Sequence, residues 1–361
     1  MPPIRVLIVD DSVVIRQVLS ELLRSDPEIE IVGTASSGSL ALSLIPQLKP
    51  DLVTLDLEMP GMDGLETLAG IRNLSSKLPV IMFSTFTERG VAVTLEALAR
   101  GATDYVTKPT HAGNTESARQ RVREELIPKI KSLCTPHVSL PRPLPVTTIA
   151  RARALVPIDI VAIGTSTGGP NALADLIPQF PSDFPVPIVI VQHMPPIFTR
   201  QLAERLDELT PLLVREGHEG SKLLPGQAWI APGDYHMTVV RVGKDIALTM
   251  NRRAPEQACR PSVNVLFRSV AEIYGAHVLG VVLTGMGADG TGGARAIREA
   301  GGAVIVQDEA SSAIWGMPGR VVAAGQADRI CPLGCIASEI VRRVNANRQQ
   351  PVRSVFAAVA R

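Results

Sequence analysis

Almost no net charge is left on this 361-residue chain, because 36 Lys+Arg face 35 Asp+Glu and leave +1. No overall field therefore draws nucleic acid or an acidic membrane surface, and neither is expected as a partner. The chain also lacks any uncharged apolar run near the roughly 18 residues of a membrane span, which argues against membrane insertion. Its opening, MPPIRVLIVD, passes from one basic residue straight into a β-branched segment. It has neither the apolar core nor the small-residue cleavage site of a secretion signal, so the expected location is cytoplasmic. Cysteine is scarce and irregularly spaced, at Cys134, Cys259, Cys331 and Cys335. That excludes a disulfide framework and leaves reduced, buried thiols as the expectation. Cys331 and Cys335 form a C-x-x-x-C spacing without a second pair or a nearby histidine, which does not suit zinc. There is no internal repeat.

What is present is an alternation of short apolar runs with helical periodicity. In the amino-terminal part the runs are Ile4–Val9, Ile29–Ala35, Leu52–Leu55, Val80–Phe83 and Tyr105–Val106, each followed by an amphipathic stretch. A second series has strands expected at Ile158–Ile163, Ile188–Val191, Ala228–Ile230, Val278–Leu283 and Ala303–Val306. Within it, His236–Val242 and Ile246–Met250 flank Gly243-Lys244-Asp245 as an inserted hairpin. Such βα alternation predicts an α/β chain with two doubly wound parallel-sheet domains, whose functional residues gather at the carboxyl ends of the strands. The expected division is 1–128 and 157–347 for the domains, 129–156 for a linker and 348–361 for a tail without a clear signal. PRPLP and ARARA in the linker read as a solvated tether.

The first domain places Asp10 and Asp11 after its first strand, Asp56 after the third, Ser84 at the end of the fourth and Lys108 after the fifth. Clustered carboxylates repel, and a divalent cation with oxygen ligands, best Mg2+, is the natural compensator. Asp56 is best placed to attack phosphorus and form an aspartyl phosphate, with the cation and Lys108 neutralising the transferred oxygens. Asp10 or Asp11 alone would suit a plain helix N-cap. Their combination with Asp56, Ser84 and Lys108-Pro109 points to a site instead.

With LDLEMPGMDG after the third strand and GATDYVTKP around the fifth, this domain resembles the receiver domain of two-component response regulators. The resemblance implies a flavodoxin-like fold and phosphorylation of Asp56 by a histidine kinase. It further implies Mg2+ held by Asp10, Asp11, Asp56 and the backbone carbonyl of Glu58. Ser84 would hydrogen-bond the phosphoryl group and Tyr105 would reorient, although Tyr105 also suits a plain core aromatic.

In the second domain, Gly164-Thr165-Ser166-Thr167-Gly168 reads as G-x-S-x-G between a strand and a helix, with Pro170 suited to the first helical turn. His193 follows the next strand in IVIVQHMPP, and Asp289 a later one in VVLTGMGADG. A parallel sheet can bring the three together as nucleophile, base and orienting acid. Their chain order differs from that of α/β-hydrolases, so that fold is not implied. Thr167 either supports the base or substrate or simply caps the helix. His218, His236 in APGDYHM and His277 compete for the base role, but a structural hydrogen bond suits His236 better and His193 is preferred. A rival reading takes Gly285-Met286-Gly287-Ala288-Asp289-Gly290 as a G-x-G-x-x-G dinucleotide turn. Asp289 would then stand where a pyrophosphate must approach, and Ser166 and His193 would have no task.

GTSTGG, VQHMPPIFT, APGDYHM, LTGMGADG and IWGMPG together resemble the catalytic domain of the chemotaxis protein-glutamate methylesterase (CheB) family. The resemblance implies a Rossmann-like α/β esterase domain and a Ser166, His193, Asp289 triad, with the Met286 N–H in the oxyanion hole and no cofactor for the ester chemistry. The implied substrates are γ-methyl glutamate esters on methyl-accepting chemotaxis receptors, with receptor glutamines deamidated by some members. A non-enzymatic receptor-binding domain is the alternative.

Overall fold

The structure is a computed structural model that describes residues 2–108, 115–134 and 156–346. Strands β1 (Ile4–Val9), β2 (Ile29–Ala35), β3 (Leu52–Asp56), β4 (Val80–Ser84) and β5 (Asp104–Thr107) alternate with five helices. These are α1 (Val13–Arg24), α2 (Gly38–Leu48), α3 (Gly64–Leu74), α4 (Glu88–Ala99) and α5 (Thr115–Cys134). The strands form one parallel sheet in the order β2-β1-β3-β4-β5, the flavodoxin-like order. Polar residues fix where the helices begin: Ser12 caps α1, Thr87 caps α4, and Asp63 with Glu66 forms a capping box on α3.

The second series contains β6 (Ile160–Thr165), α6 (Gly169–Leu176), β7 (Ile188–Gln192), α7 (Phe198–Leu209), β8 (Leu213–Glu216) and β9 (Gln227–Ile230). It continues through β10 (His236–Val242), β11 (Asp245–Asn251), α8 (Val263–Tyr274), β12 (Val278–Val282) and α9 (Thr291–Glu299). It closes with β13 (Ala303–Gln307), α10 (Gly316–Ala323), β14 (Arg329–Cys331) and α11 (Leu333–Asn345). Seven strands make a parallel sheet in the order β14-β13-β12-β6-β7-β9-β8, while β10 and β11 form the expected antiparallel hairpin. The central strands β6, β7 and β12 are buried along their whole length, as continuous apolar runs covered on both faces require.

The structure corrects three expectations. The sheet carries edge strands β8 and β14, which sequence periodicity does not reveal because both are short and carry exposed charged residues. The first domain does not end at residue 128, since α5 continues through Pro128 to Cys134. The helix persists because Ile130 is buried and Leu133 packs on the same apolar cluster, continuing its inner face. The thiols are not uniformly buried: Cys331 is, Cys134 and Cys259 are partly so, and Cys335 is exposed. The remainder of the expected linker, 135–155, and the tail lie outside the described residues.

One apolar cluster runs through both domains. Tyr105 of β5 stacks on Phe198 at the start of α7 with ring centroids 4.4 Å apart and planes 13° apart. Around this stack, Arg200 donates to Glu88 at 2.7 Å and Gln201 to the Glu88 carbonyl at 3.0 Å. The α4–β5 face of the first domain thus rests on α6 and α7 of the second.

Candidate functional sites

In the first domain Asp10 and Asp56 are buried and Asp11 is exposed, with oxygens of all three within 4.8 Å of one another. Lys108 Nζ lies 2.7 Å from Asp56 Oδ1 and 3.1 Å from Asp10 Oδ2. Burial pushes the Asp56 carboxyl up to about 6, although Lys108 opposes the rise. Asp56 Oδ2 has no hydrogen-bond partner among the described residues, and the Glu58 N–H donates to Oδ1 at 3.2 Å. One ammonium against three carboxylates leaves buried negative charge and an unserved oxygen, and this donor set fits a hard divalent cation.

Ser84 and Tyr105 are occupied elsewhere. The Ser84 hydroxyl is fully buried against α4, with Thr94 Oγ1 at 2.5 Å and the Gly90 carbonyl at 3.3 Å. Tyr105 is buried by Phe198, and Lys129 Nζ sits 5.1 Å from its ring centroid.

In the second domain Ser166, His193 and Asp289 follow β6, β7 and β12, three strands adjacent in the sheet. Backbone bonds fix the first two positions: Ser166 N donates to the Thr284 carbonyl at 3.1 Å and His193 N to the Thr165 carbonyl at 3.1 Å. The turn after Ser166 needs Gly168, whose φ of +77° opens α6, and Pro170 stands in the first turn as expected. Gly285 approaches Ser166 so closely that an added Cβ would lie 2.8 Å from the serine Cβ. The first glycine of the G-x-G-x-x-G sequence therefore serves close packing against Ser166.

Asp289 is buried and accepts from His193 Nε2 at 2.9 Å, Ser262 Oγ at 3.0 Å, and the N–H groups of Val263 and Asn264 at 2.7 and 2.9 Å. Burial alone would raise its pKa, but His193 and the N–H groups at the start of α8 hold it below the ordinary carboxylate value. Asn264 Oδ1 in turn accepts from Gly290 N and Gly293 N at 3.0 and 2.7 Å, fixing the loop that carries Asp289. For His193, burial disfavours the imidazolium, yet Asp289 and Cys259 outweigh it and lift the pKa to about 9. Its Nδ1 faces Cys259 Sγ at 3.6 Å, and no hydrogen bond joins the ring to Ser166.

Ser166, His193 and Cys259 line a cavity of about 1000 Å³ that also contains the Met286 segment and, from the first domain, Asp104, Tyr105 and Lys108, while Asp289 stands behind His193, outside the lining. Thr167, also buried, donates to Asp104 Oδ2 at 2.7 Å, so its hydroxyl is engaged by the first domain. His236 bonds the Ala254 carbonyl at 3.1 Å and His277 pairs with Asp159 at 3.0 Å, and neither lines the cavity. Sequence reasoning missed Gln192, which donates to the Ser166 carbonyl at 2.9 Å, as well as Ser262, Asn264, Cys259 and Asp104. Only Ser262 left a visible signal, as a serine ahead of a helix.

The fold class is that of a response regulator whose receiver is joined to an α/β output domain. Residues 6–119 match the response regulator receiver domain, and residues 161–340 match the CheB methylesterase family. The chain belongs to the protein-glutamate methylesterase/protein-glutamine glutaminase family. It is 52% identical over 351 residues to the protein of that name from Trichodesmium erythraeum, covering 95% of this chain and 100% of that protein. It is 43% identical to protein-glutamate methylesterase/protein-glutamine glutaminase 2 of Pseudomonas aeruginosa, covering 96% and 99% of the two chains. Among solved structures, the Thermotoga maritima CheB methylesterase catalytic domain matches with TM-score 0.51 and 41% identity, over 52% of this chain and 99% of that one. Among the described residues no helix is long and apolar enough to cross a membrane.

Proposed function

We propose that this chain is a phosphorylation-activated serine hydrolase. It removes methyl esters from glutamates of methyl-accepting chemotaxis receptors and deamidates receptor glutamines at the same centre, in the cytoplasm. Ser166 Oγ attacks the side-chain carbonyl while His193 takes the hydroxyl proton, and the Met286 N–H stabilises the oxyanion. His193 returns the proton to the departing methanol, then takes one from water, which releases the acyl group as glutamate. Asp289 orients the imidazole through Nε2, so the nitrogen that serves Ser166 is Nδ1. Thr167 supports the centre from beside Ser166.

A histidine kinase supplies phosphate to Asp56, and Ser84, Lys108 and Tyr105 carry the response. Asp10, Asp11, Asp56 and the Glu58 carbonyl would hold Mg2+, whose charge supports phosphoryl transfer when it is bound. In the resting arrangement the receiver, which extends through α5, covers the cleft of the catalytic domain. A tether then leads to that domain, at 157–347.

The observation that carries this reading is the convergence of Ser166, His193 and Asp289 at three adjacent strand ends, with Ser166 and His193 facing a cavity whose other wall is β5 of the receiver. The test is methanol release from methylated receptor membranes, with and without a small-molecule phosphodonor and magnesium. Release that vanishes in Ser166→Ala and rises with the phosphodonor is expected. Release independent of Ser166 would overturn the hydrolase reading.

A further inference from the structure

The side chain that faces His193 on its second nitrogen is a thiol, and the chain goes to some length to hold it there. Glu256 and Cys259 exchange backbone hydrogen bonds of 3.1 and 2.9 Å across Gln257 and Ala258. Both central residues have positive φ, 52° and 60°, a turn conformation that ordinarily calls for glycine or asparagine. The turn is anchored on both sides. Arg268 Nη1 donates to Glu256 at 2.8 Å, and Arg260 Nε donates to Asp234 at 3.0 Å. Cys259 is thereby presented to the cavity with its Sγ 3.6 Å from His193 Nδ1. One donor atom from each of His193, Cys259 and Asp289 lies within 4.8 Å of the other two.

We propose that His193 and Cys259 form a binding site for a borderline-soft divalent cation of the Zn2+ type, and that occupancy switches the hydrolase off. Bonds of about 2.3 Å to sulfur and about 2.0–2.1 Å to nitrogen at a tetrahedral angle separate the two donors by about 3.6 Å. The observed separation has that value, so the pair can close on the ion with little rearrangement. Asp289, bonded to Nε2, is the outer carboxylate that keeps the proton on that nitrogen and leaves the Nδ1 lone pair for the metal. Water in the cavity completes the coordination, and the protons displaced from the thiol and imidazole pass to solvent. The thiolate selects against Mg2+, which keeps this site distinct from the carboxylate cluster of the receiver. Inhibition rests on the proposed hydrolase function: the ion sits on Nδ1, the nitrogen that must accept the Ser166 proton.

The test separates binding from inhibition. Co2+ titrated into the full chain should give a thiolate-to-cobalt charge-transfer band and tetrahedral d–d bands, both displaced by Zn2+. Cys259→Ala should lose them, and Cys335→Ala, which removes the exposed thiol, should keep them; Cys259→Ser gives the same comparison if the alanine variant does not fold. No thiolate band in the wild type, or a band that survives in Cys259→Ala, overturns the site. In the methanol assay Zn2+ should inhibit the wild type at concentrations at least tenfold lower than Cys259→Ala. Equal sensitivity overturns the switch. A normal cobalt spectrum in a chain that releases no methanol without metal would keep the site and refute the hydrolase reading instead.

Discussion

Truncating Tyr105 to alanine should release the hydrolase from its resting state without a phosphodonor. The tyrosine is 5% exposed and stacks on Phe198 of the other domain. An aromatic pair contributes about 0.5–1.5 kcal/mol beyond its buried area. Burying an aromatic side chain contributes about 1.5–3 kcal/mol, of which only the part facing Phe198 belongs to the interface. About 2 kcal/mol is therefore lost from the closed arrangement. At about 1.4 kcal/mol per factor of ten, the open population rises about thirtyfold, provided the closed form dominates at rest. Basal methanol release should rise by that factor, and the phosphodonor should then add less than it does in the wild type. Arg200→Ala is the matched control, because its partner Glu88 is exposed and surface ion pairs contribute little. Its effect should be much smaller and should shrink further with salt. A folded Tyr105→Ala protein whose basal rate stays within about twofold of wild type would refute an aromatic latch. An Arg200→Ala effect larger than that of Tyr105→Ala would assign the hold to charge.

Three further outcomes follow from the same geometry. Asp56→Asn should abolish the phosphodonor-dependent rise in methanol release, whereas a persisting rise would place the phosphate elsewhere. Burial opposes the His193 imidazolium, but Asp289 and Cys259 hold the pKa at about 9. Below that pH the ring already carries the proton it would have to accept, so the resting rate should climb about tenfold per pH unit up to it and level off above. A flat profile between pH 7 and 9 would exclude His193 as the base of the resting enzyme. Ser262→Ala removes one donor to Asp289, a hydrogen bond to a charged group worth about 1.5–3 kcal/mol. It should lower kcat by at least about tenfold with little change in KM, while loss of the helix cap lowers only Tm; equal losses in kcat and stability-matched controls would reduce Ser262 to a cap.

The strand ends were legible in the sequence because a covered parallel sheet demands continuous apolar runs, and the first polar residue after each run stands at the edge where ligands bind. Asp56 follows directly from that rule, and Ser166 and His193 stand one residue beyond the first polar positions, Thr165 and Gln192. Asp289 stands further along its loop, and only the demand for a third member singled it out. The edge strands β8 and β14 escaped because an edge tolerates charge, which breaks the apolar run. Pro128 looks like a helix end, yet tertiary packing of Ile130 and Leu133 carries α5 past it. The partners of Asp289 were illegible for a different reason. Ser262 and Asn264 are 27 and 25 residues away in the chain, and nothing local marks an N-terminus of α8 as the support of a remote carboxylate. The same holds for Asp104 and Thr167, which meet across two domains.

Contacts running from Ser84 through α4 to α7 link the two candidate sites. The Ser84 hydroxyl is held by Thr94 and Gly90 of α4, while its carbonyl accepts from Lys108 N at 2.7 Å. The first residue of α4, Glu88, holds Arg200 and Gln201 of α7. Phe198, under Tyr105, opens α7 only a few residues after His193, and the intervening Ile197 has a φ of +72°. A phosphoryl group on Asp56 offers Ser84 and Lys108 new acceptor oxygens, and a hydroxyl drawn to it must leave α4. Differential bonding of that kind biases a two-state element, and here the element is the α4–β5 face that covers the cleft. On the proposed function, opening it should also free the segment that carries His193, whose ring faces Cys259 and makes no bond to Ser166. Activation on this account has two parts, exposure of the cleft and completion of the serine–histidine contact, and both are governed by the same few residues at the start of α7.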